Sequence, residues 1–129
     1  CPFLKEKRCS IHSFRPGICR VFPLGRIYEE NRLDYFLQVD GCAKENRSKI
    51  KVSKWLDTPE LKKNQQYLID WHAFRKKIKS ILGEMSDENR KKTITMFLLN
   101  TFYINPYDTE QDFYLQFYAR LDRIAQVIA

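Results

Sequence analysis

The sequence predicts a mostly α-helical protein: an irregular cysteine-rich N-terminal lobe with a possible short hairpin, packed on a C-terminal helical bundle. Three observations carry that expectation. All four cysteines, Cys1, Cys9, Cys19 and Cys42, fall in the first third of the 129 residues. Turn formers, Pro16-Gly17 and Pro23-Leu24-Gly25, punctuate the same stretch and interrupt any regular periodicity. Beyond residue 57, apolar residues recur at helical spacing between recognisable start and stop signals. The length suits a single domain, 1–129, divisible into a cysteine lobe over 1–56 and a helical bundle over 57–129.

The lobe comes first. Cys1-Pro2-Phe3-Leu4 and Cys9-Ser10-Ile11 read as two short extended pieces joined by the charged turn Lys5-Glu6-Lys7-Arg8. Pro16 is placed to open a short helical turn carrying Cys19. Leu33–Val39, with its aromatic and apolar character, reads as a strand that delivers the chain to Gly41-Cys42. A basic loop follows, and Lys51–Leu56 is a short helix candidate.

The bundle follows. Thr58 as N-cap, Pro59 at the first helical position and Glu60 in the first turn predict a helix start. Leu61, Leu68, Trp71, Phe74, Ile78, Ile81 and Leu82 form its apolar stripe, and Gly83 reads as its stop. Ser86-Asp87-Glu88 opens a second helix with Ile94, Phe97, Leu98 and Phe102 on one face, ended by Asn105-Pro106. Thr109 and Asp112 resemble a capping box for a third helix, whose Phe113, Phe117, Leu121, Ile124 and Ile128 step by three and four. Such stripes are ordinarily core, so the bundle reads as scaffold.

Charge and composition narrow the function classes. The net charge is +7. Residues 1–55 hold 12 Lys and Arg against 6 Asp and Glu, and residues 56–129 hold 11 against 10, so the excess sits with the cysteines. No apolar run approaches a membrane span. The basic runs Arg75–Lys79 and Arg90–Lys92 lack the context of a nucleic-acid reader and are expected to be solvated helix faces. A protein partner is left open. Nothing marks secretion, so a cytoplasmic setting is expected, with thiols or metal favoured over disulfides.

The cysteine spacing, C-x7-C-x9-C-x22-C, allows three disulfide connectivities or one four-thiolate metal site. It is not the C-x2-C pairing of a zinc knuckle or ferredoxin. Arg15 and Arg20 flank Cys19, and cationic neighbours favour thiolate, the form that binds metal. The two arginines either tune the ligand sulfurs as cofactor-binding residues or fix the local turn through backbone carbonyls. His12, three residues after Cys9, is expected to pack or face solvent rather than ligate, and His72 to be structural.

Cys9-Ser10-Ile11-His12 and Arg15-Pro16-Gly17-Ile18-Cys19-Arg20-Val21-Phe22-Pro23 together resemble the cysteine-cluster segment of the YkgJ family, described as zinc- or iron-chelating domains. Cys1 with Phe3-Leu4, and Cys42 with Val52-Ser53-Lys54-Trp55-Leu56, extend the likeness over residues 1–56. Members normally carry a further cysteine run before this segment, whereas this sequence begins at Cys1. The resemblance implies metal ligation by Cys1, Cys9, Cys19 and Cys42, with a 4Fe-4S cluster or zinc as cofactor. Flagellin lysine N-methylases carry a similar cluster, which makes a metal-dependent methylase relative the alternative. A third reading is an interaction module stapled by structural zinc. No glycine-rich nucleotide loop supports the enzyme.

Overall fold

A computed structural model describes residues 1–41 and 48–128. Five α-helices and two antiparallel hairpins make up the described chain, as the predicted mostly helical class requires. Its contacts separate two compact units, Cys1–Ile69 and Asp70–Ala129, with the division inside the longest helix.

Unit 1 opens on a minimal hairpin. β1 (Leu4–Lys5) pairs with β2 (Arg8–Cys9), with Leu4 opposite Cys9. Glu6 and Lys7 both adopt positive φ, at 47° and 63°. Two consecutive left-handed residues give a turn whose twist matches that of paired strands. The charged tetrapeptide read as a turn is therefore one, without the glycine or asparagine usual there. A single 3-10 turn, His12–Phe14, leads to α1 (Gly17–Val21), which starts immediately after Pro16 and carries Cys19.

β3 (Leu24–Glu29) and β4 (Arg32–Leu37) form a longer ribbon in continuous register from Leu24 opposite Leu37 to Glu29 opposite Arg32. β4 matches the predicted strand, while β3 had no sequence counterpart. The Phe36 ring lies across Gly25, its paired residue: a Cβ on Gly25 would collide with the ring. At the open end of the ribbon Gln38 N donates to Pro23 O (3.0 Å) and Gln38 Nε2 to Leu24 O (3.2 Å).

α2 (Val52–Leu56) stops at Asp57, which is left-handed at φ 45°. α3 (Leu61–Glu84) then begins two residues later than predicted. Thr58 does not cap it: its hydroxyl donates back to Leu56 O, and Glu60, at φ 48°, supplies the carbonyl that Asn64 N uses. Gly83 does not stop it either. The helix runs through Gly83 to Glu84, and no glycine among the described residues has positive φ.

In unit 2, Asp87 caps α4 (Glu88–Leu99) by accepting from Asn89 N and Arg90 N. The helix widens into a π-helical turn over Asn100–Ile104 and ends at Asn105, which the following Pro106 holds extended. α5 (Phe113–Ile128) is capped by Asp112, whose carboxylate accepts from Leu115 N, rather than by Thr109. The predicted stripes meet in an aromatic core. Trp71 packs 4.7 Å from Phe102 and 5.6 Å from Phe117 between ring centres, and Phe102 lies 5.6 Å from Phe117. Ile78, Phe102, Phe117 and Ile124 are buried.

Candidate metal centre

The three described cysteines sit on the least regular elements of unit 1. Cys9 ends β2 and is half-buried, Cys19 is on the outer face of α1, and Cys1 precedes β1, where its carbonyl accepts from Leu4 N. All three are free thiols, and Cys1 and Cys19 are exposed. Cys42 lies outside the described residues.

Donor chemistry and donor placement give different answers about a metal. Free, accessible thiols beside arginine are the right donors for zinc or an iron–sulfur cluster. Among the described residues, however, no three His, Cys, Asp or Glu side chains are grouped as ligands. The described thiols thus do not by themselves make a centre. His12 lies exposed in the 3-10 turn.

Arg20 holds this region together. Its Nε donates to Arg15 O (3.1 Å), its Nη2 to Ser13 O (3.2 Å) and its Nη1 to Asp57 O (2.6 Å). One guanidinium thereby closes the turn before α1 and ties it to the end of α2. The Asp57 carboxylate is 3.9 Å away and almost fully exposed, so the carbonyl rather than the charge is the main partner. These are the backbone bonds that one of the two readings of Arg20 calls for. Trp55 Nε1 adds a second tie, to Phe22 O (3.0 Å). Among the described residues of unit 1, only Val21 and Leu56 are buried.

Arg15 differs. Its Nε is buried and has no hydrogen-bond partner, and the same is true of Arg26 on β3. The Arg26 guanidinium reaches towards Gly17, where a Cβ would sit 3.9 Å from Nη2. Unit 1 therefore keeps unspent cationic donors close to the helix that bears Cys19.

Comparison with known protein families, curated proteins and solved structures gives no match. Among the described residues, no helix is long and apolar enough to cross a membrane.

Two features that bear on function have no signature in the sequence. Arg120 makes a second clamp: Nη1 donates to Thr101 O (2.7 Å) and Asn105 O (2.8 Å), Nη2 to Pro106 O (2.6 Å), and the group lies 3.7 Å over the Tyr107 ring. Its targets are backbone atoms, which no residue type announces. The other is a cavity of about 630 Å³ in unit 2, beside the π-helical turn. The basic run and the aromatic residues that line it are visible in the sequence, but their convergence is not.

Proposed function

We propose that unit 1 is a thiolate metal-binding lobe, using Cys1, Cys9, Cys19 and Cys42 to hold an iron–sulfur cluster or, failing that, zinc. The observation that carries this reading is the course of the chain at the open end of the β3–β4 ribbon. Cys19 lies four residues before Pro23, and Gly41, the residue before Cys42, sits against Pro23, with a Cβ position 3.6 Å from Pro23 Cβ. The segments leading to the third and fourth cysteines thus start from one place. At the other side of α1, the Arg20 bonds to Ser13 and Arg15 shorten the path from Cys9.

No ligand trio is grouped among the described residues, so on this reading the metal itself would complete the site. With two buried apolar residues among those described, the lobe has little to hold a preformed cage, and metal binding would supply folding free energy. The unpaired Nε groups of Arg15 and Arg26 offset part of the negative charge of a four-thiolate centre. The thiolates act as ligands, not nucleophiles.

Anaerobic isolation followed by visible absorption, elemental analysis and sulfide assay tests the reading. Brown protein with iron and acid-labile sulfide supports a cluster; colourless protein with one zinc per chain supports a zinc staple. Metal-free protein with four titratable thiols that takes up neither metal on reconstitution overturns the proposal.

A further inference from the structure

Unit 2 contains a cavity that no cysteine lines. The cavity of about 630 Å³ falls within the range of about 300–1,000 Å³ usual for small-molecule pockets. Its floor is apolar and largely aromatic: Trp71, Phe74, Ile78 and Phe102. Trp71 and Phe74 lie nearly parallel, 18° apart at 5.6 Å, and Phe102 closes the cluster at 4.7 Å from Trp71. Tyr103 stands at the mouth, 66% exposed and 6.2 Å from Trp71 between ring centres. Arg75, Lys76 and Lys79 form the rim, all exposed.

Two observations separate this cavity from an ordinary gap between helices. Its rim is of one sign. No carboxylate lines it, and none of Arg75, Lys76 and Lys79 has an ion pair among the described residues. Their charge is uncompensated around a low-dielectric floor, the arrangement that concentrates anions. The second is the π-helical turn Asn100–Ile104. It supplies both Phe102 to the floor and Tyr103 to the mouth. A wide turn costs hydrogen-bond geometry, and such turns recur at functional sites. Arg120 holds this one in place through the carbonyls of Thr101 and Asn105.

We propose that this cavity binds a small organic anion with a planar aromatic body, the rings of Trp71, Phe74 and Phe102 taking the body and Arg75, Lys76 and Lys79 the acidic group. Aromatic surface favours a flat π-system, and guanidinium with two ammonium groups favours a carboxylate, sulfonate or phosphate. The inference is independent of metal binding in unit 1.

The test uses the full chain and the dye 8-anilinonaphthalene-1-sulfonate, with uncharged N-phenyl-1-naphthylamine as its neutral counterpart. The two indole N–H resonances, assigned through Trp55→Phe, report the place of binding in the unaltered protein. Expected are one saturable site, a shift of the Trp71 indole and not of Trp55, and weaker binding at high salt. The triple variant Arg75→Gln, Lys76→Gln, Lys79→Gln, whose changes are all at exposed positions, should bind the sulfonate about tenfold or more weakly. Equal affinity for the neutral dye, unchanged affinity in the triple variant, a shift confined to Trp55, or no saturable binding would each overturn the proposal.

Discussion

Arg20 and Arg120 perform the same task in different surroundings. Each spreads one guanidinium over three backbone carbonyls, Arg20 across Ser13, Arg15 and Asp57, and Arg120 across Thr101, Asn105 and Pro106. Unit 2 has a core of interlocked rings with Ile78, Phe102, Phe117 and Ile124 buried, and its clamp lies over the Tyr107 ring. In unit 1, among the described residues, Val21 and Leu56 alone are buried, while Phe14, Ile18 and Val39 are more than 70% exposed. The same polar device is therefore an accessory in one unit and a main support in the other. A unit that closes on hydrogen bonds with little apolar burial has room for another source of stability, and its cysteines are where a metal would supply it.

The largest effect should come from attacking the apolar core. Phe117→Ala removes a ring that is 2% exposed and touches Trp71, Phe102 and Phe113. It should destabilise unit 2 by about 3–5 kcal/mol, read as lost amide protection over residues 70–128 by hydrogen exchange. Equal loss of protection over residues 1–69 would show that the two units open together.

The clamps come next. Arg20→Ala should cost about 2–4 kcal/mol, since three carbonyls lose a charged donor over a thin core. Protection should fall around residues 13–21 and 52–57. Arg120→Ala should cost less, about 1–3 kcal/mol, because the rings beneath it remain. A larger loss from Arg120 than from Arg20 would break the comparison.

Gly25→Ala should destabilise the β3–β4 ribbon by about 1–2 kcal/mol, because Phe36 must leave its place over the glycine. Its signature is a shift of the Phe36 ring resonances. A neutral substitution would mean the half-exposed ring pivots without loss.

Tyr107 gives a pH test confined to unit 2. Burial raises its pKa above the ordinary tyrosine value, outweighing the opposing charge of Arg120. The folded form thus keeps its proton where the unfolded chain, at about 10, gives it up. The resulting stability is intact below that pH and falls as pH rises through the folded value. Denaturant midpoints measured upwards from pH 10 should fall more steeply for the wild type than for Tyr107→Phe. The smallest effect is expected from Asp57→Asn. The carboxylate is exposed and 3.9 Å from Arg20, so stability should change by no more than about 0.5 kcal/mol.

The sequence made some of this legible for identifiable reasons. Apolar stripes located α3, α4 and α5, because burial on one face forces a helical period. The strand β4 was readable from Leu33-Asp34-Tyr35-Phe36-Leu37. Its partner β3 was not, since Gly25, Arg26 and Glu29 dilute the pattern and the aromatic cover over Gly25 comes from across the ribbon. Helix ends were misread where a side-chain rule met an unusual backbone: Thr58 and Pro59 precede a left-handed Glu60. The π-helical turn was hidden because Asn100–Ile104 contains no proline or glycine to set it apart from any other helical turn. In the candidate centre, the cysteines and the arginines were conspicuous by residue type. Which carbonyls Arg20 binds is a matter of tertiary placement and left no trace in the sequence.

The central claim is that metal does in unit 1 what the aromatic core does in unit 2. Hydrogen exchange on the anaerobically reconstituted full chain, compared with the chelated form, tests it most directly, with Cys19→Ser as control. The account predicts that metal raises amide protection across residues 1–57, leaves residues 70–128 unchanged, and adds no protection in Cys19→Ser. Metal uptake without added protection in residues 1–57, or protection that persists in Cys19→Ser, would contradict it.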